Sequence, residues 1–293
     1  MIEVAVIGRV GVDLYPNELQ TPLAEVRTFT RFVGGFAGNV ATGLARLGVR
    51  PAIVSRVGAD GHGDYVRAWL GAEGVDVRFL GTDPYWQTPP TFCEVWPPDS
   101  FPLTFYRKPT APDWQLDRND VAAVEIVDAP LLFATGTGLA QSPSRESTLA
   151  ALRAHSGTTI FDLDWRPTLW DDPAAYPALA AEAVAAADIV IGNEEEVDAA
   201  QVRPATLVLK RGERGATVFE GADETDVPGF PVEVVNGLGA GDAFAAAVGQ
   251  SLLAGLPLVE AVRRGTVAGA LVASRLACSD AMPRLEELEA ALV

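Results

Sequence analysis

Val235-Asn236-Gly237-Leu238-Gly239-Ala240-Gly241-Asp242-Ala243-Phe244 is the stretch on which the reading of this chain turns. Gly239, Ala240 and Gly241 are small enough for the backbone to approach a ligand closely. The apolar run that follows, residues 243–253, reads as a buried helix. Backbone N–H groups converging at a helix N-terminus make an anion site, and the helix dipole adds to it. A carboxylate at that point would repel a phosphate, so Asp242 is not there to bind one. It suits a base that takes the proton from a hydroxyl while the amides of 239–241 hold the phosphoryl group that the hydroxyl attacks. The competing reading is a glycine-rich turn with Asp242 as helix N-cap.

Working outward, Gly34-Gly35-Phe36-Ala37-Gly38-Asn39-Val40-Ala41 is a second glycine-rich entry into a helix, with Val40, Leu44 and Leu47 on one face and Gly48 as its stop. Short β-rich runs at residues 2–7, 51–57, 131–135, 159–163, 189–191 and 206–210 alternate with helical patterns near 37–47, 64–73, 147–154, 174–187, 240–254, 258–276 and 285–292. Such alternation implies a mostly parallel sheet covered on both faces. One region breaks the rhythm: residues 91–96 and 101–107 flank the turn Pro97-Pro98-Asp99-Ser100 and read as a β-hairpin.

The chain has 293 residues, enough for a sizeable core, and a formal net charge of −17. That charge argues against nucleic acid or an anionic membrane as partner. It also means that positive charge for an anionic ligand must be gathered locally. Lysine occurs only at 108 and 210, so arginine must do most of that work. No apolar run reaches membrane-spanning length, and Met1 to Gly8 reads as a first strand, not a signal peptide. Cys93 and Cys278 make a disulfide framework improbable and suit a reducing cytoplasm, where the protein is expected. His62 and His155 lack partners at metal-ligand spacing and read as structural or solvated. A P-loop is absent, and Gly8-Arg9-Val10-Gly11 lacks the spacing of a dinucleotide fingerprint.

With Gly34-Gly35 near the start and Gly239-Ala240-Gly241-Asp242 near the end, the chain resembles the PfkB, or ribokinase-like, family of sugar kinases over nearly its whole length. The resemblance implies one ribokinase-like domain over 1–293, a three-layer α/β/α fold with a mostly parallel central sheet. It also implies a small β-sheet lid with strands from about residues 9–33 and 84–110. It makes Asp242 the catalytic base, with Gly239, Ala240 and Gly241 as its anion cradle. Asp13, Gly34, Gly35 and Asn39 become acceptor-binding residues; Asp13 stands just past the first strand, where open α/β sheets place ligands. A turn Asp and a helix-capping Asn are the plainer readings of Asp13 and Asn39.

The same resemblance makes ATP and Mg²⁺ the cofactors and leaves room for a monovalent cation. Asn193-Glu194-Glu195-Glu196 matches an Asn-x-x-Glu element in which Asn193 and Glu196 act on Mg²⁺ through water; an acidic first helical turn is the alternative. Lys210-Arg211-Gly212-Glu213-Arg214-Gly215 matches a nucleotide turn, with Lys210 or Arg211 reaching the ATP phosphates and ordinary surface charge as the alternative; the resemblance would bring Cys278 near the adenine, while a buried thiol is its plainer reading. Arg107, on the hairpin, and Arg166, after a central strand, each offer a guanidinium fork suited to a carboxylate. The elements around them resemble the family's branches acting on 2-keto-3-deoxygluconate and, more closely, 5-dehydro-2-deoxygluconate. The expected reaction is therefore ATP-dependent phosphorylation of a primary hydroxyl of a small sugar acid. A neutral-sugar kinase and a non-catalytic sugar or nucleotide sensor are the alternatives. Exposed aromatics on the lid suit either the sugar or a second copy of the lid in a homodimer.

Overall fold

Strand β1 (Val4–Ile7) sends Val4 and Val6 into one apolar cluster and Ala5 and Ile7 into another, and all four are buried. A strand with both faces apolar has to lie inside a sheet covered on both sides. The computed structural model describes residues 1–292 and shows that arrangement. After β1 come β2 (Gly11–Pro16), β3 (Phe29–Gly34), α1 (Phe36–Arg46), β4 (Pro51–Gly58), α2 (Gly61–Ala72) and β5 (Leu80–Asp83). The hairpin β6 (Pro90–Cys93) and β7 (Leu103–Phe105) leads into two single-turn helices, α3 (Arg118–Val121) and α4 (Val124–Val127). The chain continues with β8 (Leu131–Thr135), α5 (Ser144–Ala154), β9 (Thr158–Asp162), α6 (Tyr176–Val184), β10 (Ile189–Asn193), α7 (Glu194–Ala200) and β11 (Thr206–Lys210). It closes with β12 (Ala216–Glu220), β13 (Asp223–Val227), α8 (Ala240–Leu253), α9 (Leu258–Ala273) and α10 (Leu285–Leu292).

Nine strands form the large sheet in the order β13-β12-β11-β10-β9-β8-β1-β4-β5, parallel except for β12 and β13 at one edge. Helices α1, α2, α8 and α9 pack on the face reached by Val4, Val6, Phe133 and Ile160. On the other side α5, α6 and α7 pack against Ala5, Ile7, Leu132 and Phe161. This is the expected ribokinase-like α/β/α layering. All six strands expected from the sequence are present, as β1, β4, β8, β9, β10 and β11. Three were not expected, because their residues carry little apolar signal. Asp223-Glu224-Thr225-Asp226 of β13 is exposed and charged, as an edge strand must be to avoid pairing with another chain.

The smaller sheet has the order β3-β2-β6-β7, with β2 antiparallel to β3, parallel to β6, and β6 antiparallel to β7. Asp13 lies opposite Phe32 and Thr91, so these side chains share a face with Tyr15 and Cys93. Tyr15, Cys93 and Phe32 pack against Leu238, Leu276 and Cys278, bringing the small sheet down beside the segment that precedes α8.

Candidate active site

The C-terminal ends of the parallel strands carry a rim of polar residues, as expected for an open α/β sheet. Arg9 follows β1, Asp162, Asp164 and Arg166 end or follow β9, Asn193 ends β10 and Lys210 ends β11. Helix α8 enters this rim by its N-terminus.

Gly239 is the N-cap of α8 with φ 82°, a left-handed conformation that glycine adopts without strain. A Cβ at that position would press on Cys278, 3.0 Å from its Cβ. Asp242 lies in the first turn, and no side chain caps the helix, which excludes the N-cap reading of this carboxylate. Its Oδ2 accepts from Asn39 Nδ2 at 2.7 Å, and among the described residues it enters no ion pair. Burial pushes the Asp242 carboxyl up to about 6, and the Asn39 bond works against that rise. A carboxylate in that range is matched to accepting a proton at neutral pH.

Asn39 is not a helix cap, since it sits inside α1 and is buried. Its amide is committed to Asp242 on one side and Ser279 Oγ, at 2.6 Å, on the other. The amide expected to meet sugar hydroxyls is thus bonded to Asp242 and Ser279. Asp13 does face the rim, and burial pushes it up to about 6 against the influence of Arg9. Gly34 is required beneath it, because a Cβ there would land inside the Asp13 carboxylate. Gly35 has φ 87°, and its missing Cβ leaves room for the Arg9 carbonyl.

The two expected arginines part company. Arg107 is buried, donates to Asp113 and lies with its guanidinium carbon 4.5 Å from the centre of the Trp114 ring. Asp113 also accepts from Val10 N at 3.0 Å. Arg107 is therefore spent on an internal ion pair, a correction to its expected place at the acceptor carboxylate. Arg166 is at the rim, half-exposed, with Nη2 3.3 Å from Asp164 Oδ1 and Nη1 3.7 Å from Glu196 Oε1. Sequence reasoning missed Arg9, which donates from Nη2 to Asp164 Oδ2 at 3.0 Å and from Nε to Thr137 Oγ1 at 2.9 Å. It also passed over Asp164, whose φ of 33° is strained for a residue with a Cβ. Burial alone would raise Asp164, but Arg9 and Arg166 hold it below the usual carboxylate range. The only signal for Arg9 in the sequence was a charge standing directly after an apolar strand.

On the other side of the rim, Lys210 Nζ donates to Asp162 Oδ2 at 3.1 Å and lies 3.8 Å from Glu196 Oε2. Burial pushes Asp162 up to about 7, Lys210 opposes this, and Glu196 and Asp164 add to it. Asn193 and Glu196 form a capping box at the start of α7: Asn193 Oδ1 accepts from Glu196 N and Glu196 Oε2 accepts from Asn193 N, both at 2.8 Å. Among the described residues no three acidic, His or Cys side chains converge as a metal cage. Closely spaced carboxylates, one of them reluctant to ionise, suit a hard cation that keeps most of its own water. The residues present therefore fit Mg²⁺ held from an outer shell.

A cleft of about 800 Å³ opens beside Lys210 and Gly241 and runs between the Gly212–Gly215 turn and Thr266, Gly269 and Ala273 of α9. Gly212 and Gly215 line it, with φ 58° and 88°. Arg211 turns away to Glu194 and Asp226, so of the two candidate cations Lys210 alone lines the cleft. Cys278 does not line it either: its Sγ lies 2.7 Å from Tyr15 Oη, within the packing of the small sheet. Buried Asn236 anchors that junction, donating to Leu276 O and Tyr15 Oη and accepting from Leu238 N.

Residues 1–285 match the sequence profile of the family described as "pfkB family carbohydrate kinase". The chain belongs to the PfkB family. A 5-dehydro-2-deoxygluconokinase of Geobacillus thermodenitrificans is 35% identical, the match covering 97% of this chain and 90% of that one. The enzyme of the same name from Clostridium tetani is 33% identical, with 98% and 92% covered. Among solved structures, a sugar kinase from Pyrococcus horikoshii in complex with ATP is 29% identical with a TM-score of 0.88, covering 97% of this chain and 96% of that one. Fructokinase from Vibrio cholerae, bound to fructose, ADP and calcium ion, is 28% identical with a TM-score of 0.88, covering 100% and 99%. This PfkB protein is a carbohydrate kinase, an ATP-binding transferase.

Proposed function

We propose that the enzyme transfers the γ-phosphoryl group of ATP to a primary hydroxyl of a small sugar acid, and that the acceptor is 5-dehydro-2-deoxygluconate, phosphorylated at its C6 hydroxyl. The observation that carries the reaction is Asp242, free of any ion pair among the described residues and held by Asn39 beside the Gly239–Gly241 amides, next to a cleft of about 800 Å³ that Ala240 and Gly241 line. The names of the bacterial relatives and the Arg166 guanidinium at the rim support an acid as acceptor.

Asp242 accepts the hydroxyl proton as the oxygen approaches phosphorus. Amides of Gly239, Ala240 and Gly241 stabilise charge on the transferring group; loss of one such donor costs about 3 kcal/mol of barrier. Lys210 lies against the same cradle and neutralises phosphate oxygens, and Arg166 holds the carboxylate end so that the hydroxyl faces phosphorus. Asn193 and Glu196 would hold Mg²⁺ through water, and the ion would offset the charge of the phosphates. Asp13 takes acceptor hydroxyls, and the small sheet acts as a lid that excludes water and prevents wasted ATP hydrolysis. The lid's outer face, with Phe29, Phe92 and exposed Tyr106 in contact, is the surface of a homodimer. The reaction is expected in the cytoplasm. An ADP-release assay over 5-dehydro-2-deoxygluconate, 2-keto-3-deoxygluconate, fructose and ribose, with and without potassium, tests the reading. The highest kcat/KM on an acid supports it, and turnover of neutral sugars alone overturns it.

A further inference from the structure

Two guanidinium groups share one carboxylate at the rim. Arg9 Nη2 donates to Asp164 Oδ2 at 3.0 Å, and Arg166 Nη2 lies 3.3 Å from Oδ1 of the same residue. Thr137 Oγ1 bonds both Arg9 Nε, at 2.9 Å, and Asp164 Oδ2, also at 2.9 Å, so the Arg9 side chain has little freedom. Phe105 of the small sheet closes it off from below, its ring centre 5.8 Å from the guanidinium carbon. Arg9 is thus nine-tenths buried, with Nε and one Nη2 hydrogen bonded. No hydrogen bond among the described residues uses its Nη1, and Nη1 is not among the buried polar atoms left without a partner. That nitrogen is therefore neither paired nor fully sealed from solvent. Arg9 is also close enough to Asp13 and Asp242 to favour the charged form of both. Asp242 is the base of the proposed reaction, so the unpaired edge of Arg9 lies close to where the acceptor must come.

We propose that Arg9 is a specificity-determining residue for an anionic acceptor: its free Nη1 edge, fixed by Thr137 and Asp164 beside Arg166, takes a carboxylate oxygen of a sugar acid. Asp164, whose φ is 33°, presents one carboxylate to both arginines. This inference rests on the acid-sugar reading above and assigns to Arg9 the part expected of Arg107.

The test is steady-state kinetics of the wild type, Arg9→Met, Arg9→Lys and Thr137→Val with saturating MgATP, using 5-dehydro-2-deoxygluconate and fructose. Arg9→Met should raise KM for the acid about 10- to 100-fold, as loss of a charge-assisted bond does, and lower the acid-to-fructose ratio of kcat/KM at least 10-fold, since any effect through Asp242 or Asp13 is shared by both sugars. Arg9→Lys should recover part of the acid KM, because it keeps the charge but loses the fork. Thr137→Val keeps the guanidinium and loosens it, so it should raise the acid KM by a smaller factor. That variant decides the matter if Arg9→Met does not fold. If the wild type prefers the acid and no variant changes the acid-to-fructose ratio, Arg9 has no selective role while the acid-sugar reading stands. If the wild type turns over fructose alone, the reading and this inference fail together, and the wild-type data show which came first.

Discussion

Asn39 Nδ2 donates to Asp242 Oδ2 across 2.7 Å, joining the first helix of the fold to the mouth of α8. The bond favours the charged carboxylate against the burial that pushes it up to about 6. Turnover should accordingly fall as pH drops through about 6, where Asp242 takes up a proton. Asn39→Ala should move that acid limb upward by roughly 1–2 pH units, the equivalent of one hydrogen bond to a charged group. Activity near pH 7 then drops and is regained near pH 9. A pH–rate profile with an unmoved limb would show that Asn39 does not set the base.

Asp242→Asn should lower kcat by about 10²- to 10⁴-fold, the usual worth of a general base, with little change in nucleotide binding. The same variant should be more stable than the wild type at neutral pH. The folded carboxyl titrates near 6 against an ordinary 3.8, so its charged form opposes folding. That opposition is absent below about pH 4, grows as pH rises through 6 and is complete above it. The gain should be about 1–3 kcal/mol at pH 8 and vanish at pH 4, read from urea denaturation. Equal stability at both pH values would contradict the burial of this charge.

Arg107→Met leaves Asp113 buried without its cation, which should cost about 3–5 kcal/mol of stability. Adding Asp113→Asn should recover at least half of it. Denaturation curves of the single and double variants check this. A single variant that is as stable as the wild type but loses acid sugars would return Arg107 to the acceptor site.

Tyr106 is 59% exposed on the outer face of the small sheet, its ring centre 5.4 Å from that of Phe92. If two lids pack together through this face, Tyr106→Asp should shift the protein from dimer to monomer in light scattering at micromolar concentration. A wild type that is monomeric at that concentration would remove the lid interface.

The elements read from the chain were those with a strong period or a strong turn chemistry. The six apolar strands and the glycine-rich entries to α1 and α8 were legible because burial on both faces and left-handed backbone each demand particular residues. Edge strand β13 was not, because such a strand is selected for charge and carries no apolar period. At the site, Asp242, Asp13, Gly34, Lys210 and Arg166 could be named from spacing and resemblance. Arg9, Thr137 and Asp164 could not, since 128 and 155 residues separate the bonded pairs and no local pattern records them.

Layer order and the glycine-rich turn that carries Asp242 were therefore properties of the amino-acid sequence, being set by local backbone preference and by which faces shed water. Which arginine stays free and which is consumed was decided only when the chain folded. Arg107 and Arg9 carry the same charge; one meets Asp113 deep in the protein and the other shares Asp164 at the rim. A guanidinium has no fixed role until its counter-charge has a place in space, and that place is a property of tertiary packing.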